Sequence, residues 1–289
     1  MRARAVFIIG AGVISISYAS ILIKLCAASP LVIAFYRLAI AALFYLAIAR
    51  RRVCTRPGPD TAWILLSGLF LALHFAAWIT SLDYTTVASS VVLVQTSPVF
   101  VALGGALFLR ERTPAVKILG VLLAVAGSLN FGLVELADRA LGNLLALCGA
   151  LAAAGYFVVG RKMRAHMGTV AYVSRVYSAA AVILLPFVLA EGSALFDHDL
   201  RTYILLAAIA VLPQIVGHTS LNWALKYYSA TAVAVFTLGE SVGASALAWL
   251  ILAEPLSLKV VLGAMMVLGG VILVLLGEKR EYPQRTNVV

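Results

Sequence analysis

Residues 86–117 read TVASSVVLVQTSPVFVALGGALFLRERTPAVK. This stretch is an apolar run of helical length with a polar group, QTSP (95–98), in its middle, and it ends in the charged cluster RER (110–112). A related stretch, SATAVAVFTLGESVGASALAWLILAEPLSLKV, occupies residues 229–260 and carries GES (239–241) at its centre. An apolar element that occurs twice, each time with polar residues at its centre, indicates that the chain builds a site there.

The composition indicates a membrane protein. Hydrophobic residues make up 63% of the 289-residue chain and charged residues 12%, whereas soluble domains are roughly 50% apolar and 25% charged. The apolar residues form blocks of helical length, and about 20 such residues cross the hydrocarbon core of a bilayer. The net charge of +10 arises from short Lys and Arg clusters between the blocks. That pattern is typical of a multi-pass membrane protein and argues against a nucleic-acid partner.

No pattern indicates a metal, a cofactor or an enzyme. The three cysteines, Cys26, Cys54 and Cys148, are an odd set without metal-ligand spacing, so they predict neither a disulfide framework nor a zinc site. The chain has no Walker-type loop and no HExxH or CxxC motif. A Ser-His-Asp set cannot be assembled at a credible depth. We therefore expect no cofactor, no metal and no catalytic residues.

Ten apolar segments of helical length can be marked, at 5–26, 31–49, 61–82, 86–109, 116–134, 141–160, 170–190, 202–223, 229–252 and 258–277. The connections between them are short, so no soluble domain is expected. The first segment is long for the core of a signal peptide, which predicts a retained membrane helix. The polar tail, 278–289, is expected to be disordered.

The Lys and Arg residues predict the orientation in the membrane. With a cytoplasmic N-terminus, sixteen of them fall on the cytoplasmic side and four on the outer side, namely Lys24, Arg139, Arg201 and Lys259. Positive charge collects in cytoplasmic loops. We therefore expect both termini in the cytoplasm and the chain in a plasma membrane, the inner membrane in the case of a bacterium.

The chain also contains an internal repeat. Identical residues recur at two constant spacings: a shift of 138 places Tyr18 on Tyr156, Lys24 on Lys162 and Arg37 on Arg175, and a shift of 143 places Tyr84 on Tyr227, Glu111 on Glu254, Gly120 on Gly263 and Gly127 on Gly270. Residues 1–137 and 138–277 are therefore predicted to be two five-helix units. Because five is odd, the second unit enters the membrane from the opposite side. The predicted fold is an all-α, polytopic membrane protein of ten transmembrane helices in two inverted repeats.

Two arginines lie inside predicted membrane segments. Arg37 is about seven residues into the second segment, and Arg175 lies at a similar depth in the seventh. Ionisable groups in a membrane segment are costly and are functional candidates by default. The pair could bind an anion or act as a gate. It could also reach back to the lipid headgroups.

Polar residues in the third and eighth segments are candidates for substrate binding. His74 and Trp78 are four residues apart and share one helix face. Gln214, His218 and Asn222 also recur every four residues. This stripe cannot face lipid, so it faces either a cavity, which we favour, or a neighbouring helix through hydrogen bonds.

The two central polar groups provide the remaining candidates. Pro98 removes a backbone hydrogen bond and is expected to kink the fourth segment, which places Gln95 and Thr96 at a weakened helix near the midplane. Glu240 is the carboxylate deepest in an apolar segment, and it could carry a proton or serve a structural role. Tyr18 and Tyr156 lie at depths that suit a cavity, although membrane tyrosines more often serve packing.

The run at 78–133 carries a recognisable order of features. An aromatic-rich third helix is followed by an Ala- and Ser-rich start to the fourth, then Pro98 near its middle, Glu111 before the fifth helix, and the glycines Gly120 and Gly127 seven residues apart. The same glutamate and glycines recur in the second half as Glu254, Gly263 and Gly270. This pattern resembles the repeat of the EamA family in the drug/metabolite transporter superfamily, and the resemblance covers the whole chain.

The second half departs from this pattern at one position. Ser241 stands where the first half has Pro98, so we expect the fourth and ninth helices to bend differently. The resemblance implies a secondary transporter with alternating access through a central cavity. Helices 3, 4, 8 and 9, with parts of 1, 2, 6 and 7, would line that cavity. The substrate residues of the family form no fixed motif, so none is assigned from it.

The candidate residues combine aromatic faces with few polar groups. They suit a partly apolar zwitterion better than a nucleotide sugar, whose phosphates need more basic groups. We expect an exporter of small metabolites, with amino acids as the leading class and protons as a possible coupling ion, working as a monomer or homodimer. An exporter of drugs or quaternary amines stays open. So does a membrane-embedded lipid enzyme or scaffold, although an inverted repeat offers little to a one-sided active site.

Overall fold

The computed structural model describes residues 2–49, 58–129, 139–252 and 258–281, and every regular element in those ranges is helical. In chain order the helices are α1 (Arg2–Ile16), α2 (Ala19–Leu25), α3 (Pro30–Ala49), α4 (Thr61–Tyr84), α5 (Val87–Val94), α6 (Ser97–Phe108), α7 (Ala115–Leu129), α8 (Ala140–Arg164), α9 (Thr169–Glu191), α10 (Leu200–Ile209), α11 (Thr219–Ala224), α12 (Ala230–Thr237), α13 (Gly239–Leu252) and α14 (Leu258–Glu281). A π-helical segment, Ala210–His218, joins α10 to α11.

Nine stretches of the described chain are long and apolar enough to cross a membrane: Arg4–Leu25, Pro30–Ala49, Thr61–Tyr84, Ser89–Phe108, Ala140–Arg164, Thr169–Glu191, Leu200–Ala224, Ala230–Leu247 and Leu258–Glu278. They coincide with nine of the predicted segments. The remaining segment, 116–134, corresponds to α7, whose 15 residues reach the end of a described range at Leu129.

The predicted boundary at residue 137 lies outside the described residues. So does most of the predicted disordered tail, residues 282–289. Residues 278–281, at the start of that tail, continue α14 as a helix. Cys54 and Glu254 also fall outside the described ranges.

Two of the spans are interrupted near their middle, at equivalent positions. α5 gives way to α6 at Gln95 and Thr96, and α12 gives way to α13 at Leu238. The Thr96 N–H donates to the Leu93 carbonyl, three residues back, at 3.1 Å, and the Leu238 N–H likewise donates to Val235 at 3.1 Å. Such tight turns replace the regular α-helical bonds. Both helices therefore offer backbone and side chains at the centre of the bundle.

The position of Pro98 corrects the expected cause of the first break. Pro98 lies in the first turn of α6, after the break, where an N–H has no helical partner to lose. The break in the second half occurs without a proline, since Ser241 occupies the matching position. We expected the fourth and ninth helices to bend differently. Both are nevertheless interrupted at matching positions.

Matching hydroxyl caps start the two interrupted spans. The Thr86 hydroxyl accepts the Ser89 N–H at 3.1 Å before α5, and the Ser229 hydroxyl accepts the Ala232 N–H at 3.2 Å before α12. A side-chain oxygen at this position satisfies a backbone N–H that the first turn leaves open. Helices α5 and α12 therefore begin at the same kind of cap, run for eight residues and break in the same way.

Glycines bring α7 and α14 into close contact. A Cβ added to Gly120 would lie 2.8 Å from the Gly270 carbonyl oxygen, and one added to Gly127 would lie 2.8 Å from the Gly263 carbonyl oxygen. The partner residue number falls as the α7 number rises, so the two helices pack antiparallel. Small residues at membrane helix contacts allow this backbone approach.

A set of ion pairs, which we call the charged end, closes one end of the bundle around the start of α12. Lys117 in α7 pairs with Glu278 in α14 at 2.7 Å, and both side chains are buried. The Ser229 hydroxyl donates to Glu278, and the Ser229 N–H donates to it at 3.2 Å. The N-terminus of a helix attracts negative charge, so the Glu278 carboxylate holds the start of α12 in place.

Glu111 approaches the same helix from the other half of the chain. It accepts the Ala230 N–H at 3.4 Å and pairs with Arg161 at 3.4 Å. Burial raises the pKa of Glu111, and the neighbouring Arg161 opposes that rise. Arg161 in turn donates to the Leu225 carbonyl at 2.6 Å. The charged end thereby ties α6, α8 and α12 together.

Candidate functional site

A small cavity lies at the two helix breaks. It is about 50 Å³ in volume. Its walls come from both halves of the chain and consist of Ile16, Ala19, His74, Trp78, Val94, Gln95, Ser97, Ala153, Phe157, His218, Leu221, Thr237 and Glu240. One water occupies about 30 Å³ in the liquid, whereas small-molecule sites are roughly 300 to 1,000 Å³. The cavity as described therefore has room for about one or two waters and is smaller than a typical small-molecule site.

Aromatic and imidazole rings form one wall of the cavity. The rings of His74 and Trp78 stack with 6.0 Å between centroids and 7° between planes. The His218 ring is tilted against the His74 ring, with 6.4 Å between their centroids. The Nδ1 atom of His74 lies 2.9 Å from the Gly149 carbonyl. Because a carbonyl oxygen only accepts, this nitrogen carries the proton, and the His74 ring is fixed in place.

Two side chains that line the cavity have unpaired donors. The Trp78 Nε1 and Gln95 Nε2 atoms are buried without a hydrogen-bond partner. Gln95 uses its oxygen to accept the Ser241 hydroxyl at 2.6 Å, which joins the two helix breaks directly. Glu240 is the carboxylate of the lining. The lining thus includes both free N–H donors and an acidic side chain.

Equivalent positions of the two halves line the cavity together. At a shift of 138, Ala19 corresponds to Phe157; at a shift of 143, Trp78 corresponds to Leu221, Val94 to Thr237, and Ser97 to Glu240. The backbone positions are shared, but the side chains differ in size and charge. The cavity therefore combines corresponding sequence positions with different side-chain chemistry.

Arg37 lies next to this cavity without lining it. Its guanidinium carbon is 3.7 Å from the centroid of the Phe75 ring, and its Nε donates to the Gln214 oxygen at 3.1 Å. The side chain is fully buried, so it does not extend to the lipid headgroups, and its Nη1 and Nη2 atoms have no partner. Phe75 contacts His218 with 5.1 Å between centroids. A single ring thus separates the guanidinium from the cavity wall.

The eighth span places its polar stripe inside the protein, but in three different settings. His218 lines the cavity and Gln214 binds Arg37. Asn222 accepts the Tyr156 hydroxyl at 2.9 Å, and its Nδ2 lies 3.2 Å from the Tyr177 hydroxyl. The Thr219 N–H donates to the Gln214 carbonyl, five residues back. Such π-type turns are frequent at functional sites.

Several predicted site residues do not reach the cavity. Tyr156 and Asn222 satisfy each other in a packed helix contact, and the Thr96 hydroxyl donates to its own helix at Leu93, at 2.7 Å. Tyr18, Arg175 and Pro98 also lie outside the lining. The two tyrosines were expected from their depth, and the other four from charge, spacing or the expected kink, and none of these determines which face of a helix points inward.

Three lining residues with distinct chemistry or size were not predicted: Thr237, Phe157 and Leu221. The repeat contains a signal for one of them. Leu221 lies at the position that matches Trp78 at a shift of 143, so mapping that candidate onto the other half points to it. Thr237 and Phe157 match Val94 and Ala19, which carry no polar or aromatic side chain.

Among the residues that the structure describes, no group of three or more His, Cys, Asp or Glu side chains is arranged to hold a metal ion. The chemistry of the cavity is therefore that of hydrogen bonding, stacking and a single carboxylate.

Comparison with known proteins identifies relatives of the whole chain. The model of the EamA-like transporter family matches twice, at residues 3–132 and 140–276. The pseudopaline exporter CntI of Pseudomonas aeruginosa is 28% identical over 84% of this chain and 82% of its own. A probable amino-acid metabolite efflux pump of Escherichia coli is 28% identical over 81% and 83%.

Two further relatives also match over most of the chain. An uncharacterized transporter of Archaeoglobus fulgidus is 25% identical over 85% of this chain and 88% of its own. A crystal structure of a protein with 18% sequence identity superposes with a TM-score of 0.78, covering 97% of this chain and 99% of that one. The fold is thus one that an experimental structure contains.

Proposed function

Because the chain belongs to the EamA-like transporter family, we propose that it is a secondary transporter that exports a small zwitterionic metabolite of the amino-acid class. The observation that carries this proposal is the charge arrangement of the cavity. Glu240 offers a partner for an ammonium group, and the free N–H groups of Trp78 and Gln95 offer partners for a carboxylate. Unpaired buried donors are costly, so a ligand that satisfies them gains that free energy.

The neighbouring aromatic residues support a substrate with an apolar part. Trp78 and Phe157 provide flat apolar walls, and His74 stacks on Trp78. Arg37 adds positive charge behind Phe75 and interacts electrostatically with Glu240. We infer that it compensates the carboxylate when no substrate is present. Gln214 would hold it in that role.

We propose that the fold is a ten-helix inverted repeat, with units at 1–137 and 138–277. Three observations support this. The family model matches twice in tandem. The matching helices break at the same position. The glycine contacts are reciprocal, since Gly120 meets Gly270 and Gly127 meets Gly263 while the shift of 143 exchanges these pairs.

Reciprocal contacts are what a two-fold axis at the α7–α14 contact requires. The antiparallel course of the two helices places that axis in the membrane plane, as in inverted repeats. The Lys and Arg distribution supports cytoplasmic termini. The charged end would then face the cytoplasm, in the plasma membrane or bacterial inner membrane.

The two ends of the bundle differ in how tightly the helices pack, and this difference suggests a transport cycle. At the charged end, α6 packs against α8 and α12, and the ion pairs of Glu111 and Glu278 reinforce that contact. α13, which runs from the break toward the opposite end, has half-exposed or exposed residues along most of its length. We propose that the small cavity opens by movements of α6 and α13 about the two breaks, one at a time. Both halves of the site are in one chain, so a monomer suffices.

Export is the proposed direction because the two relatives with printed substrates are named as an exporter and an efflux pump. An exporter of quaternary amines is the second candidate, supported by the pairing of aromatic walls with Glu240, since aromatic faces and a carboxylate bind such cations. The two candidates differ in the substrate, since an amino acid carries a carboxylate and a simple quaternary amine does not. A membrane-embedded lipid enzyme or scaffold is not favoured, because the names of the family and of these relatives point to transport.

Transport by proteoliposomes tests the proposal. Liposomes that contain the purified chain should exchange labelled amino acids, and the corresponding amines without a carboxylate should compete poorly. Glu240→Gln should reduce transport about ten- to a hundredfold, as expected for loss of a charged hydrogen-bond partner. Glu191→Gln, a change at an exposed carboxylate that binds Ser29 and Ser193, should leave the rate unchanged.

The same assay addresses coupling. We propose that Glu240 carries the coupling proton, so Glu240→Gln should abolish the dependence of the remaining flux on a pH gradient. Full retention of that dependence would exclude this carboxylate as the carrier. Absence of flux for every metabolite of a wide panel, in protein whose fold is intact, would overturn the proposal of transport.

A further inference from the structure

A large apolar groove lies on the outside of the bundle, away from the central cavity. It is formed by α4, α6 and α8 and has a volume of about 610 Å³. Phe70, Phe100, Leu103, Leu107 and Val158 are among its lining residues. Leu103 and Leu107 are largely exposed along its α6 side. The groove therefore opens toward the bilayer.

Glycines give the groove its depth. Gly104 on α6 and Gly155 on α8 both line it. A Cβ at Gly104 would lie 3.0 Å from Val158, and a Cβ at Gly155 would lie 2.7 Å from the Phe70 ring. The absence of side chains at these two positions lets the Phe70 ring lie against α8 and form the floor.

The length of the groove matches one leaflet of a membrane. Its lining residues on α8 extend from Leu151, near the middle of that helix, to Lys162, near its end. Eleven residues at about 1.5 Å each give about 16 Å. Half of the roughly 30 Å hydrocarbon core is about 15 Å. A groove of this length accommodates one acyl chain from headgroup to midplane.

The end of the groove has the chemistry of a headgroup site. The Lys162 ammonium lies 3.4 Å from the centroid of the Trp63 ring, and both residues line the groove. Trp at a membrane interface anchors at headgroup level. Within the described ranges, the ion pairs give Lys162 no carboxylate, whereas its neighbour Arg161 pairs with Glu111. Lys162 is thus the cationic residue of the groove lining that can bind an external anion.

We propose that this groove binds one anionic phospholipid of the leaflet at the charged end. One acyl chain lies along α6 and α8, and the phosphate binds the Lys162 ammonium beside Trp63. Basic pockets between membrane helices bind anionic headgroups in this way. A lipid without net charge would lack that attraction.

The lipid would bear on the transport cycle through α6. Ser97 at the start of this helix lines the central cavity, and Phe100, Gly104 and Leu107 further along line the groove. A bound acyl chain would contact the same helix that packs against α12, so we expect it to restrain movement of α6 at the charged end.

Native mass spectrometry of the full chain tests this proposal, with palmitoyl-oleoyl phosphatidylglycerol and phosphatidylcholine as the probes. The wild-type chain should retain one phosphatidylglycerol in preference to phosphatidylcholine. Lys162→Ala should reduce that preference about fivefold, as expected for one basic residue at a membrane surface. Lys226→Ala is the matched control, since Lys226 lies at the same end but does not line the groove.

A second measurement keeps the test independent of folding yield. Phosphatidylglycerol should raise the Tm of the wild-type chain and of Lys226→Ala, and it should raise that of Lys162→Ala by less. Gly104→Leu should lower retention of both lipids because the side chain enters the groove. Equal retention of the two lipids by the wild type, or an unchanged preference in Lys162→Ala, would overturn the proposal and leave non-specific lipid contact.

Discussion

The two interrupted spans, α5–α6 and α12–α13, are alike at their centre and different at their ends. Both begin at a hydroxyl cap, run eight residues and break at positions 143 residues apart. Yet every residue of α12 up to Phe236 is buried, whereas α5 includes half-buried residues and α13 is largely exposed toward its end. The start of α12 is held by Glu111 and Glu278, while the structure shows Thr86 capping the start of α5.

This difference separates what the two spans share from what they do not. Both keep a tight turn at their centre, whereas the contacts at their ends differ. Under the inverted repeat proposed above, this asymmetry corresponds to a form that is closed where α6, α8 and α12 meet.

The largest expected effect concerns the anchor of α12. Glu278→Ala removes the carboxylate that pairs with the buried Lys117 ammonium and binds Ser229. Breaking a buried ion pair from one side costs about 3–5 kcal/mol, so thermal unfolding in detergent should show a strong decrease in stability. The double variant Lys117→Met with Glu278→Leu should recover most of it, since neither charge then remains. An unchanged Tm in Glu278→Ala would show that the charged end does not stabilise α12.

The contact between α7 and α14 should respond next most strongly. Gly270→Ala places a Cβ 2.5 Å from the Gly120 carbonyl oxygen and from the Ala124 Cβ. Overpacking of this kind costs about 1–3 kcal/mol. Gly269→Ala is the matched control, because the nearest atom to its Cβ belongs to Leu123 at 3.6 Å. Equal stability of the two variants would mean that α7 and α14 do not approach as closely as described.

The two caps should differ in a measurable way. Thr86→Ala removes one side-chain acceptor at the start of α5 and should cost about 1 kcal/mol. Ser229→Ala removes the equivalent acceptor and also a donor to Glu278, so its cost should exceed that of Thr86→Ala. Urea or thermal unfolding of both variants provides the comparison. Equal costs would indicate that the bond from Ser229 to Glu278 contributes nothing.

The smallest effect is expected where α6 ends. Arg110 has a φ of +53°, a left-handed conformation that costs a residue with a Cβ about 1–2 kcal/mol. Glycine relieves this strain but adds freedom to the unfolded chain, so Arg110→Gly should stabilise the protein by about 0.5 kcal/mol. Arg112→Gly, at a position with an ordinary φ, should be neutral or destabilising. A Tm that falls in Arg110→Gly would contradict this account of the turn.

The spans were predictable because the apolar blocks are long and the breakers between them are clear. The break at Gln95 and Thr96 was also predictable in place, but its cause was assigned to Pro98, and the second half breaks without a proline. The candidates His74, Trp78 and Glu240 line the cavity, and they stood out in the sequence because such side chains are rare in these segments. Tyr156 and Asn222 bond to each other instead, a contact that depends on how α8 and α11 rotate, and sequence periodicity does not fix that rotation.

The hydrogen bond from Ser241 to Gln95 has a mechanical consequence. In the proposed transport cycle each helix break would act as a hinge, and two independent hinges would allow both ends of the bundle to open at once. A bond between the two breaks would couple the hinges, because movement at one would pull on the other. A pathway open at both ends would dissipate every gradient across the membrane, so this contact lies where such coupling would suppress leakage.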